Sequence, residues 1–82
     1  MKKYWVYGLL ISQRGVVRCE SVYGDPIKAD KPEDAVKQAV QWNLEESITG
    51  KYDAERGMIL YFDDFGKVVN AIVQIFAVEN KY

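Results

Sequence analysis

The chain has 82 residues, a formal net charge of −1 and a hydrophobic fraction of 49%, which fits a single domain over residues 1–82 with a small core. Its near-neutral, slightly acidic balance lacks the basic field with which nucleic-acid binders displace counterions. The absence of histidine removes the commonest general base, the Ser–His and Cys–His pairs and most catalytic zinc sites.

Residues 3–11 open with a strand pattern. Trp5, Tyr7, Leu9 and Ile11 alternate with Tyr4, Val6, Gly8 and Leu10, and a segment apolar on both faces reads as a central strand. Residues 12–15 predict a hairpin turn with Gly15 at positive φ. The return strand covers residues 16–23, with Val17, Cys19, Ser21 and Tyr23 on one face and Val16, Arg18, Glu20 and Val22 on the other. The charged pair marks a solvent-facing side of an edge strand. Gly24, Asp25 and Pro26 end it.

Asp30, Pro32 and Glu33 predict a helix start, with Asp30 as the cap, Glu33 reaching back and proline tolerated in the first turn. Ala35, Val36, Ala39, Val40, Asn43 and Leu44 recur at helical spacing. Ile48 extends this stripe and Gly50 stops it. Residues 51–57 read as a polar connection. A strand over 58–63, a turn over 63–67 with Gly66 in the permissive position, and a long strand over 68–78 follow, and residues 79–82 fray. The expectation is a small α+β domain of order ββαββ, a four-stranded antiparallel or mixed sheet with one helix packed on one face.

Keeping Arg18, Glu20 and Asp63 away from the helix assigns the faces. Val17, Cys19, Met58, Leu60, Phe62, Val69, Ala71, Val73 and Ile75 then lie under it, with Val6, Gly8 and Leu10 from the first strand. Val73 is expected beside Val36, Val40 and Leu44. The open face displays Trp5, Tyr7, Leu9, Tyr61, Ile72 and Phe76 beside Arg18, Asn70 and Gln74.

The motifs of catalysis are thin. Asp64-Phe65-Gly66 matches the kinase metal-binding triplet but lacks the rest of that machinery and reads as a turn. Asp63 and Asp64 diverge at a strand end and fall short of a cation's oxygen count. Gly50-Lys51 lacks the other residues of a phosphate loop. Cys19, the only cysteine, excludes an intramolecular disulfide and suits a reducing compartment; under the helix it is a small core residue. The apolar run after Lys2 and Lys3 is too short and aromatic for a signal peptide, and no run is long enough to span a membrane. We therefore expect a cytoplasmic protein with no metal, no cofactor and no membrane partner.

Functional potential lies in the aromatic open face. Trp, Tyr and Phe beside Arg, Asn and Gln suit a protein interface or base stacking, and the acidic balance disfavours nucleic acid. In size and composition, though in no particular motif, a small, acidic, histidine-free ββαββ chain resembles many phage and mobile-element inhibitor proteins, anti-CRISPR-type proteins among them. That resemblance implies a non-enzymatic module that blocks a partner's surface. Trp5, Tyr7, Arg18, Tyr61, Ile72, Gln74 and Phe76 are the expected partner-binding residues, with the acidic loops as the second choice. The alternatives are a homodimeric structural or accessory domain with no foreign partner, and a small enzyme with a site across a dimer interface.

Overall fold

The computed structural model describes residues 1–81. In chain order its elements are β1 (Lys2–Ser12), β2 (Val17–Ser21), β3 (Ile27–Ala29), α1 (Pro32–Glu46), β4 (Gly50–Asp53), β5 (Met58–Phe62) and β6 (Val68–Asn80). The fold is α+β: one helix on an antiparallel sheet of order β2-β1-β6-β5-β4, with β3 also pairing β1. Among the described residues the sheet therefore has six strands, not four.

The two added strands are short. β3 pairs Lys2–Tyr4 of β1, while β2 pairs Tyr7–Ile11 on the same edge. Val22 N–H bridges them by donating to the Val6 carbonyl at 2.9 Å. The ladder breaks around Pro26, which has no N–H to give. β4 occupies part of the expected polar connection. Lys51 and Asp53 alternate with Gly50 and Tyr52 and pair with β5, as suits a charged edge strand. Its turn is built by Asp53, whose Oδ1 accepts from the Glu55 and Arg56 amides at 3.1 and 3.2 Å. Asp63 does the same in the next turn, accepting from the Phe65 and Lys67 amides at 2.9 Å each.

The helix begins at Pro32, with Lys31 as an extended N-cap and no side-chain cap. The residue before a proline is driven to extended backbone, so Lys31 takes the cap position and Asp30 falls one residue too early. Ser47 is the C-cap and its Oγ accepts from the Gly50 amide at 3.1 Å. The helix thus ends before Ile48, which is fully exposed, and Gly50 starts a strand rather than stopping the helix. At the other end of the chain, Glu79 and Asn80 pair with Tyr4 and Lys3 instead of fraying; Tyr82 lies outside the described residues.

The core sits between α1 and the sheet. Ala35, Ala39 and Val40 of the helix pack with Tyr4, Val6, Val22, Ile27, Ala29, Ile59 and Ile72. Of the side chains expected under the helix, Val6, Leu10 and Ile75 pack there, and Gly8 is buried. Val17, Cys19, Met58, Leu60, Phe62, Val69, Ala71 and Val73 do not belong to this core. On β2 and β5 it is the charged or polar set, Arg18, Glu20 and Tyr61, that shares the helix side with Leu10, Gly8 and Asn70; on β6 the reason is a bulge. Between Tyr7 and Leu9 of β1 the pairing with β6 slips, and Gln74 takes a left-handed φ of 50°. One extra residue in a strand reverses the alternation beyond it. Asn70 and Ile72 face the helix before the bulge and Ile75 and Ala77 after it, while Ala71 and Val73 share the far face with Phe76 and Val78.

Candidate functional site

Cross-strand partners share a face, so the pairing draws the surface opposite the helix. β1 gives it Trp5, Tyr7, Leu9 and Ile11. Their partners are Val78, Phe76, Val73 and Ala71 on β6, and Ser21, Cys19 and Val17 on β2. Leu60, opposite Ala71, and its strand mates Met58 and Phe62 extend it across β5. Among the described residues no element covers it. Phe76 is 42% exposed, Val78 45% and Val17 56%, and the free Cys19 thiol is exposed. Tyr7 and Phe76 stack at a ring-centroid distance of 6.0 Å, tilted by 39°, within the range of favourable aromatic pairs.

Polar and charged groups lie at its edges. Lys3 shares its end with Asn80. Lys51 and Asp53 lie on β4, where the Lys51 ammonium sits 5.6 Å from the centre of the Phe62 ring. An apolar centre with a polar rim is the anatomy of a protein interface.

The expected partner-binding residues divide between the two faces. Trp5, Tyr7 and Phe76 lie together on the open face. Arg18, Tyr61, Ile72 and Asn70 lie on the helix side instead, lining a cleft of about 340 Å³ with Leu10, Glu20 and Asn43. Gln74 is the bulge residue between the two sets. Charge misled the face assignment because the helix does not reach the far end of the sheet. Beyond it, Arg18 and Glu20 form a 2.9 Å ion pair on the helix side while remaining largely wetted. Sequence reasoning placed Cys19, Met58, Leu60, Phe62 and Val73 in the core; keeping charge off the helix side turned β2 and β5 the wrong way, and the unbroken alternation along β6 carried no sign of the bulge that separates Val73 from Ile75.

The cleft is held by a hydrogen-bonded chain. Tyr61 Oη donates to Asn43 Oδ1 at 2.6 Å, and Asn43 Nδ2 donates to the Val22 carbonyl at 3.0 Å. Burial raises the Tyr61 pKa above its ordinary 10.0; the amide hydrogen bond acts against this only as a donor to the phenolate. Here Asn43 Nδ2 is engaged with Val22, so Oδ1 holds the protonated phenol. The unfolded chain therefore loses this proton first, and stability falls as pH rises past 10.0, until the folded state also ionises. Tyr61→Phe should lower stability by about 1 kcal/mol at neutral pH and abolish that part of the alkaline loss. Denaturant melts of both proteins at neutral and alkaline pH check this, together with the parent-minus-variant phenolate absorbance.

The arrangement offers little chemistry. Among the described residues no group of three or more Cys, Asp or Glu is placed to hold a metal ion, and no helix is long and apolar enough to cross a membrane. Fold and site together define a small two-layer α+β protein with one sheet face uncovered. No family model, no curated protein and no solved structure matches the chain.

Proposed function

We propose that this chain is a non-enzymatic protein-binding module that works by laying its open sheet face on another protein surface. The observation that carries this reading is the uncovered apolar face centred on β1 and β6, with Trp5, Tyr7 and Phe76 together on it. Soluble monomers seldom leave so continuous an apolar surface bare, and aromatic anchors of this kind concentrate binding energy. Blocking a partner's surface, as phage and mobile-element inhibitors do, requires nothing more than such a face. The exposed free thiol of Cys19 is compatible with the reducing cytoplasm. The acidic loops are the weaker choice, because Asp53 and Asp63 are committed to their own turns.

The test is a double variant, Trp5→Ser with Phe76→Ser, beside a helix-side control, Arg18→Ala. The double variant should keep the parent's circular dichroism and weaken protein association by about 2 kcal/mol or more, read as oligomeric mass of the purified protein or as retention of a partner by the immobilised chain. The control should associate like the parent. Equal association by parent and double variant would overturn the reading.

A further inference from the structure

We infer that two copies of this chain join edge to edge along β2, antiparallel about Cys19, so that Arg18 of each copy stands opposite Glu20 of the other. The inference goes beyond the open-face reading and does not depend on it, because it uses the rim of the sheet.

The backbone supplies the first argument. β2 stands at one end of the strand order and pairs only with β1. Ser12 N–H donates to the Val16 carbonyl at 3.0 Å, and Val22 N–H to the Val6 carbonyl at 2.9 Å. Hydrogen-bonded pairs alternate along an antiparallel ladder, so Arg18 and Glu20 exchange their bonds with Leu10 and Gly8 of β1. The N–H and C=O groups of Val17, Cys19 and Ser21 point the other way, and among the described residues no strand lies there. Such a row is what a further strand pairs with.

The other rims offer less. On β4 the Gly50 amide is already given to Ser47 Oγ, and Asp53 is held in its own turn. β3 has three residues. β6 runs on past its pairing with β5, but joining two copies about Ala77 sets Glu79 against the apolar Ile75, and joining them about Glu79 sets that carboxylate against itself.

Charge supplies the second argument and fixes the register. Charged side chains usually blunt an edge strand. Here Arg18 and Glu20 are of opposite sign, flank Cys19 and point to the same face, with side chains 67% and 38% exposed. An antiparallel copy centred on Cys19 puts each guanidinium across from a carboxylate, a favourable cross-strand pair. A slip of two residues one way sets Arg18 against Arg18, and the other way Glu20 against Glu20. A slip of one residue faces free backbone groups with spent ones and exchanges the faces. One register therefore satisfies both backbone and charge. The pair already formed within each chain, at 2.9 Å, becomes half of a four-membered network of alternating sign.

In this register Val17 lies opposite Ser21 and Cys19 opposite Cys19. Each pair exchanges two bonds, roughly six in all. Five residues cover about 17 Å of edge, a small interface of the kind that associates weakly. The two-fold axis stands perpendicular to the sheet, so both helices lie on one side of the joined sheet and both open faces on the other, where they stay free for another protein.

The experiment uses the purified chain. Light scattering over concentrations up to about 500 μM, where small interfaces associate, should rise from the 9.4 kDa chain mass to twice that value. Arg18→Glu and Glu20→Arg should each weaken the dimer roughly 10-fold or more, because each sets like charges across the seam, while keeping the parent's circular dichroism. Mixing the two variants should restore a dimer, now of one copy of each. Arg18→Ala should change the dimer only a few-fold, since exposed ion pairs add little strength and mainly select the register. A short bifunctional thiol reagent should join two parent chains through Cys19, the only cysteine in the chain, but not two Arg18→Glu chains.

A parent that stays monomeric at the highest concentration would overturn the inference, as would a dimer indifferent to Arg18→Glu or a mixture of the two charge variants that stays apart. Trp5→Ser with Phe76→Ser should keep this dimer. A dimer lost in that variant and kept in Arg18→Glu would overturn the edge and uphold the open face. An edge dimer with equal retention of a foreign protein by parent and open-face variant would do the reverse.

Discussion

Val6→Asp should abolish cooperative folding, whereas Val73→Asp, on the neighbouring strand, should leave a folded protein. Val6 is completely buried and pairs with Ala77 beneath the helix. Among the described residues the buried set contains no charged side chain, so a carboxylate at position 6 finds no cation there. An unpaired buried charge costs several kcal/mol even after relaxation. A chain of this size has on the order of 5 kcal/mol to lose. Val73 lies on the opposite face and outside the core, where a new carboxylate stays in water whenever the face is uncovered. Thermal and denaturant melts followed by circular dichroism decide the matter. A cooperative transition for Val6→Asp, or none for Val73→Asp, would mean that the two faces had been exchanged.

That pair of substitutions also marks where the sequence ceases to be readable. The long strands, the helix, the turns at Gly15 and Gly66 and the start of β5 follow from local pattern, because each is decided by neighbours a few residues away. Gly15 and Gly66 take positive φ at the expected turns. Which face of β6 meets the helix is decided by a single residue. Val69, Ala71, Val73, Ile75 and Ala77 form an unbroken aliphatic row by alternation, yet the bulge at Gln74 sends Ala71 and Val73 one way and Ile75 and Ala77 the other. A glutamine is a poor advertisement for left-handed backbone, which glycine and asparagine usually occupy. The open face was therefore half legible: Trp5, Tyr7 and Phe76 were placed correctly because β1 is regular and Phe76 lies beyond the bulge. Arg18, Tyr61 and Ile72 were misplaced because charge was taken to mean distance from the helix. β3 and β4 are too short and too polar for periodicity to register; their partners across the sheet hold them.

Gly8→Ala should destabilise the fold by about 1–3 kcal/mol, the usual penalty of overpacking a closed site. A methyl group at position 8 would overlap Ile72 Cγ2 and stand 3.3 Å from the Val73 carbonyl oxygen and 3.4 Å from Ile75 Cγ1. The carbonyl belongs to the bulged ladder and has little room to move. Replacing glycine also stiffens the unfolded chain, a gain of about 0.4–1 kcal/mol that works against the clash and keeps the expected loss moderate. For a chain of this length each 1 kcal/mol corresponds to roughly 4–8 °C in melting temperature, so the loss is easily read. Ile72→Ala removes the overlapping methyl and by itself leaves a cavity costing about 2–5 kcal/mol. Combined with Gly8→Ala, part of that space is refilled, and the double variant should be more stable than the sum of the two losses predicts. A raised melting temperature for Gly8→Ala alone would show that the strands stand further apart at this point. The coupling has a structural cause. Ile72 and Ile75, three residues apart, face the helix together only because the bulge lies between them, and both close over position 8. A residue with no side chain there gives both isoleucines their place in the core. The same bulge turns Phe76 and Val78 to the face that Val73 already occupies, so the bulge that Gly8 accommodates on the buried side also brings the aromatic ring of Phe76 beside Tyr7 on the open side.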